Sequence, residues 1–103
     1  MRCLSIVRFP PPADLDRAQL RELLRKALPR YQVVPGLRRK YFVGNESTGG
    51  GVYEWESRAA AEAFYSQDWY ERMLDVYGAQ PEVELFDVHA LVDNDAGRSE
   101  IAG

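Results

Sequence analysis

His89 is the single histidine of this 103-residue chain, and histidine is the side chain whose ordinary pKa lies near neutrality. In a pocket it could take the proton of a phenol, leaving an electron-rich phenolate able to react with oxygen. On a sheet surface it would instead partner Asp87, two residues away on the same side of a strand, or an acid across an interface. A second group lies in the segment Pro35–Ser57, PGLRRKYFVGNESTGGGVYEWES. It reads as two antiparallel strands in which aromatic and charged side chains alternate. Tyr41, Tyr53 and Trp55 fall on one face, where they could stack on a flat aromatic substrate or pack as core. Arg39 shares that face, and a guanidinium among apolar groups needs an anion, a carbonyl or a route to water, which favours a pocket. Lys40, on the other face, reads either as an ion pair with Glu54 or as a catalytic amine.

These placements follow from pairing the strands around a turn centred on Ser47. Arg38 then meets Glu56, Lys40 meets Glu54 and Phe42 meets Val52. On the opposite face Arg39 meets Trp55, Tyr41 meets Tyr53 and Val43 meets Gly51. Opposite charges align on one face and aromatics on the other, whereas a one-residue slip would mix them.

The elements that must position these groups follow in order. Residues 2–9 make a first strand, stopped by Pro10-Pro11-Pro12. Asp14 suits an N-cap, and Leu20, Leu23, Leu24, Ala27 and Leu28 have the spacing of an amphipathic helix that ends or kinks at Pro29. Strand two covers about 37–44 and strand three about 51–56. Ser57 caps an alanine-rich helix. Asp68 with Glu71 resembles a capping box for a further segment carrying Trp69, Met73, Val76 and Tyr77, closed by Gly78. The last strand covers about 82–93. The order β-α-β-β-α-β is the split, ferredoxin-like α+β pattern, expected as one domain over residues 1–94 with a flexible C-terminal tail at 95–103. Every strand carries apolar groups on both faces. A sheet covered by helices on one side should be polar on the other, so the free face is expected to be buried in a homodimer.

Composition narrows the function classes. The net charge of −3 argues against nucleic acid, which requires a concentrated basic surface. Cys3 is the only cysteine, so an intrachain disulfide and a Cys/His zinc site are both excluded. No apolar run approaches a membrane span, and a cytoplasmic protein is expected. Gly49-Gly50-Gly51 leads into a strand rather than a helix N-terminus, which speaks against a phosphate cradle. There is no Rossmann, P-loop, nucleophilic-serine or metal signature, so no cofactor and no metal are expected.

PGLRRKYFV, GGGVYEWES, AAAEAFY and PEVELFDVHALVDN together resemble the YdhR-like monooxygenase family of the dimeric α+β barrel superfamily, over about residues 2–94. The resemblance implies a homodimer of two sheets packed face to face, with a pocket in each subunit between sheet and helices. It also implies a cofactor-independent monooxygenase-like activity on a small aromatic or phenolic substrate. His89, Tyr53 and Lys40 would be catalytic, and Arg39, Tyr41, Trp55 and Trp69 would bind substrate. The alternatives are a non-catalytic dimeric module that binds a hydrophobic ligand or another protein, and a cofactor-free isomerase or lyase using the same pocket.

Overall fold

A computed structural model describes residues 2–11 and 15–102. The order is β1 (Cys3–Phe9), α1 (Arg17–Gln32), β2 (Leu37–Gly44), β3 (Gly49–Trp55), α2 (Arg58–Phe64), α3 (Gln67–Tyr77), β4 (Glu82–Asp87), β5 (Ala90–Asp93) and β6 (Arg98–Ile101). The first four strands form an antiparallel sheet in the order β2-β3-β1-β4. The fold is therefore the expected ferredoxin-like α+β sandwich, with a two-stranded β5-β6 hairpin added.

Local chemistry explains the boundaries. Asp14, expected to cap the first helix, lies outside the described residues. Asp16 caps α1 through a reciprocal box with Gln19. Pro29 sits inside α1, which continues to Gln32 rather than stopping there. Ser57 caps α2 as expected, whereas α3 is capped by Ser66, with Asp68 in its first turn. Gly78 closes α3 in the left-handed conformation at φ 70°.

The pairing of β2 with β3 differs from the expected one by a single residue. Asn45–Thr48 is an even loop between the paired Gly44 and Gly49, held by Asn45 Oδ1 accepting from the backbone N–H groups of Ser47 and Thr48. A turn centred on Ser47 requires an odd loop, and the change in parity reverses every side chain of β2 relative to β3. Lys40 pairs with Tyr53, Arg39 with Glu54 and Tyr41 with Val52. A register irregularity between Leu37 and Arg39 restores Leu37 opposite Trp55.

The core lies between sheet and helices: Cys3, Ser5, Val7, Tyr53, Trp55, Ala61 and Trp69 are buried. The open face carries Leu4, Ile6, Val52, Tyr41, Val43 and Phe86 with charged groups among them, Arg8 pairing with Glu84 and Glu54 lying near Arg2 and Arg38. The last strand is not continuous. It breaks at Val88–His89, and the segment expected as a flexible tail supplies β6 against β5, tied to the sheet by an Arg2–Glu100 ion pair at 2.7 Å. No helix of the described residues is long and apolar enough to cross a membrane.

Candidate active site

Strand β3 sends Tyr53 and Trp55 toward the helices, stacked with ring centroids 5.8 Å apart and planes 3° apart. The end of α2 adds Phe64, followed by Tyr65; α3 adds Trp69, and α1 adds Tyr31. Beneath them, Trp55 Nε1 donates to Ser5 Oγ at 2.8 Å, and Ser5 Oγ shares a hydrogen bond with Tyr65 Oη at 2.7 Å. A fully buried serine requires such partners, and this one fixes both the indole and the phenol. Burial pushes the Tyr65 and Tyr53 hydroxyls well above the usual phenol range, helped at Tyr53 by the neighbouring tyrosines. Both are neutral donors throughout the physiological range.

Trp69 carries the second polar feature. Its ring is 2 % exposed and packs edge-on against Tyr65 and Tyr70, with centroids 4.8 and 5.0 Å away. Its Nε1–H is buried without a hydrogen-bond partner. An unmet buried donor costs about 1–3 kcal/mol, and it is suited to an incoming oxygen acceptor.

Lys40 carries the third. The observed register turns it under the helices, with Nζ 3.3 Å from the Tyr31 ring centroid, 3.9 Å from Phe42 and 4.5 Å from Tyr53. Gly51 makes the space: a Cβ there would lie 3.1 Å from Lys40 Cε and 3.0 Å from the Tyr53 ring. Burial, with repulsion from Arg30 second, lowers the amine pKa to about 7. The ring faces act in the opposite sense, since their quadrupoles attract the charged form. No carboxylate of the described residues lies within ion-pairing distance of Lys40; Glu54, its expected partner, lies on the open face near Arg2 and Arg38.

Of the residues singled out from sequence, Lys40, Tyr53, Trp55 and Trp69 lie between sheet and helices, Lys40 beside Tyr31, Phe42 and Tyr53 and Trp69 beside Phe64, Tyr65 and Tyr70. The others do not. Arg39 and Tyr41 face the open side, Tyr41 being 56 % exposed, and line a cavity of about 370 Å³ with Asp93 and Arg98 of the hairpin. The register shift that brought Lys40 inward turned them outward. His89 is exposed in the connection between β4 and β5, its carbonyl accepting from Ala102 N–H, and Asp87 lies near Arg58 at 3.7 Å instead. Tyr31, Phe42, Tyr65 and Ser5 were not singled out. Tyr31 continues the Leu24, Leu28 stripe of α1, and Ser5 alternates inward with Cys3 and Val7, so both were marked only by periodicity.

Sheet order and helix placement give the chain the fold of the dimeric α+β barrel proteins. Its structure is similar to that of a protein of unknown function, NE2512, from Nitrosomonas europaea, with TM-score 0.63 and 20% identity over 84% of this chain and 88% of that one. It is also similar to SnoaB, a cofactor-independent oxygenase from Streptomyces nogalater in its N63A mutant, with TM-score 0.58 and 14% identity over 84% of this chain and 92% of that one. At such identities the likeness is one of fold. No family model matches the sequence, and no curated protein matches it.

Proposed function

We infer that the protein is a cofactor-independent oxygenase-like enzyme for a small aromatic or phenolic substrate, related to the YdhR-like monooxygenases and acting as a homodimer in the cytoplasm. The observation that carries this reading is the Lys40 amine, brought near neutrality against three aromatic ring faces. Such an amine is matched to removing a phenolic proton at pH 7. The substrate ring lies against Tyr31 and Tyr53, and Trp69 Nε1–H donates to the oxygen that gains negative charge. The phenolate reduces dioxygen itself: an activated ring CH₂ and O₂ become a carbonyl and water, all four electrons coming from the substrate. Lys40 thus takes the role that sequence offered to His89. The oxygenase neighbour adds support by analogy of fold.

The shape of the subunit supports the homodimer. It exposes 7446 Å², where a compact monomer of 11.8 kDa exposes about 5,900 Å². Phe86, Tyr41 and Val43 are among the exposed apolar groups of the open face. Light scattering should give twice the chain mass; a monomer at micromolar concentration would oppose the assembly.

Oxygen uptake with a panel of hydroquinones and naphthols tests the chemistry. Turnover is expected, and Trp69→Phe, which keeps an aromatic ring and removes the donor, should lower kcat by about 100-fold, the usual effect of losing one anion-stabilising donor. The close packing of Tyr53 and Trp55, 3 % and 0 % exposed, favours a second reading, a ligand-binding module. Tight binding of a naphthol without oxygen uptake would select that reading over the enzyme.

A further inference from the structure

We propose that Lys40 is an imine-forming site, its amine condensing with the carbonyl of a small aryl aldehyde or aryl ketone whose ring lies against Tyr31, Phe42 and Tyr53. The proposal uses the same lysine and flanking rings as the oxygenase reading but needs neither oxygen nor Trp69.

Several independent features favour covalent chemistry at this amine. Its flanking surfaces are ring faces rather than carboxylates, so no counter-ion holds it as a salt bridge. A desolvated lysine is the kind that acts as a nucleophile, and Lys40 meets that condition, with a smaller repulsion from Arg30 acting in the same direction. At pH 7 about half of such amines are neutral, against about one in a few thousand for an ordinary lysine. A Cβ at Gly51 would press on Lys40 Cε at 3.1 Å, so the glycine is what lets the lysine lie among the rings.

The step balances without a co-reactant. The neutral Nζ adds to the carbonyl carbon and one amine proton passes to the carbonyl oxygen, giving a carbinolamine. Its hydroxyl leaves with a solvent proton as water, and the nitrogen becomes a protonated imine. The product keeps one positive charge where the ammonium had been, so the three ring faces stabilise it as they stabilise the ammonium. An aryl group on the same carbon would pack against the same ring faces. An imine also draws electrons from the adjacent carbon, so the site would favour loss of a proton or carboxylate there.

Lys26 and Lys40 are the only lysines of the chain, and Lys26 is exposed on α1, which provides an internal control. The intact protein, under nitrogen at pH 7, is treated with benzaldehyde and sodium cyanoborohydride, and benzylated lysine is mapped by peptide mass spectrometry. Lys40 should be labelled at least tenfold faster than Lys26 (roughly, allowing for the lower nucleophilicity of a less basic amine). Urea unfolding should abolish the preference, and butyraldehyde, which lacks a ring, should show a smaller one. Equal labelling of the two lysines in the folded protein, or a preference that survives in urea, would overturn the proposal. Because oxygen is absent, failure here leaves the oxygen-uptake result untouched, and the reverse holds as well. The wild-type ratio requires no variant to fold.

Discussion

Replacing Gly50 by alanine should leave little or no folded protein. Gly50 lies in β3 at φ 154°, and a Cβ there would stand 1.8 Å from the Val7 carbonyl oxygen and 2.9 Å from its carbon. Both are backbone atoms of the neighbouring strand, so no rotamer change relieves the clash. β1 and β3 would have to separate at the centre of the sheet, where Val7 and Arg8 pair with Gly51 and Gly50. A strained backbone costs about 1–3 kcal/mol, overpacking costs a further 1–3 kcal/mol or more, and a domain of this kind has only about 5–15 kcal/mol in total. The melting temperature should fall by at least about 15 °C, or the variant should be insoluble. Gly97→Ala is the control: φ is 67° there, but nothing lies within 4 Å of the added atom, and the loss should be close to 1 kcal/mol. Equal melting temperatures for the two variants would show that β1 and β3 do not approach as described.

The second large effect is on stability as a function of pH. In the folded chain the Lys40 amine titrates at about 7, whereas an unfolded lysine titrates near 10.4. Between these values the unfolded state holds a proton that the native state lacks, so stability rises with pH. From pH 7 to 8.5 the gain should be about 1.5 kcal/mol, at 1.36 kcal/mol per unit of unmatched titration. The groups that face Lys40 are Arg30, which repels it, and the phenols of Tyr31 and Tyr53. Cys3, Tyr53, Tyr65 and Tyr77 work in the opposite sense. Burial raises each of them, so their contribution is present below the unfolded pKa values, about 8.5 for a thiol and 10 for a phenol, and is lost above them. Urea midpoints should therefore climb from pH 7, peak between about 8.5 and 9.5, and then fall. Lys40→Met should be flat from pH 7 to 8.5 and more stable than wild type at pH 7, since it buries no amine. A wild-type curve that is flat or falling across that range would contradict a desolvated Lys40.

Fold and site differ in how far the residues reveal them. β1, α1, β2, β3, α2 and α3 all lie close to where hydrophobic period, caps and glycine turns place them, because those signals are local. The face assignment of β2 depends on whether one loop is odd or even. The Asn45 side chain settles that through hydrogen bonds to Ser47 and Thr48, and no periodicity in the strands encodes it. Charge matching pointed to the wrong parity because Glu54 has three arginine neighbours to choose from: Arg38 and Arg2 as ion pairs and Arg39 across the strand. The break at Val88–His89 was hidden for another reason, since apolar alternation continues through it. Trp69 was identifiable as a large apolar residue on a helix face, but its unmet donor arises only from how α3 settles against Tyr65 and Tyr70.

Carbon-13 labelling of lysine offers the most direct examination of the site, because the chain contributes only two lysine Cε signals. Followed from pH 5 to 11 in the folded protein, the Lys40 signal should shift with a midpoint near 7. A Lys40 signal that stays put until about pH 10, where an ordinary lysine titrates, would mean that the amine is solvated and that neither a base nor an imine-forming group sits beneath the helices.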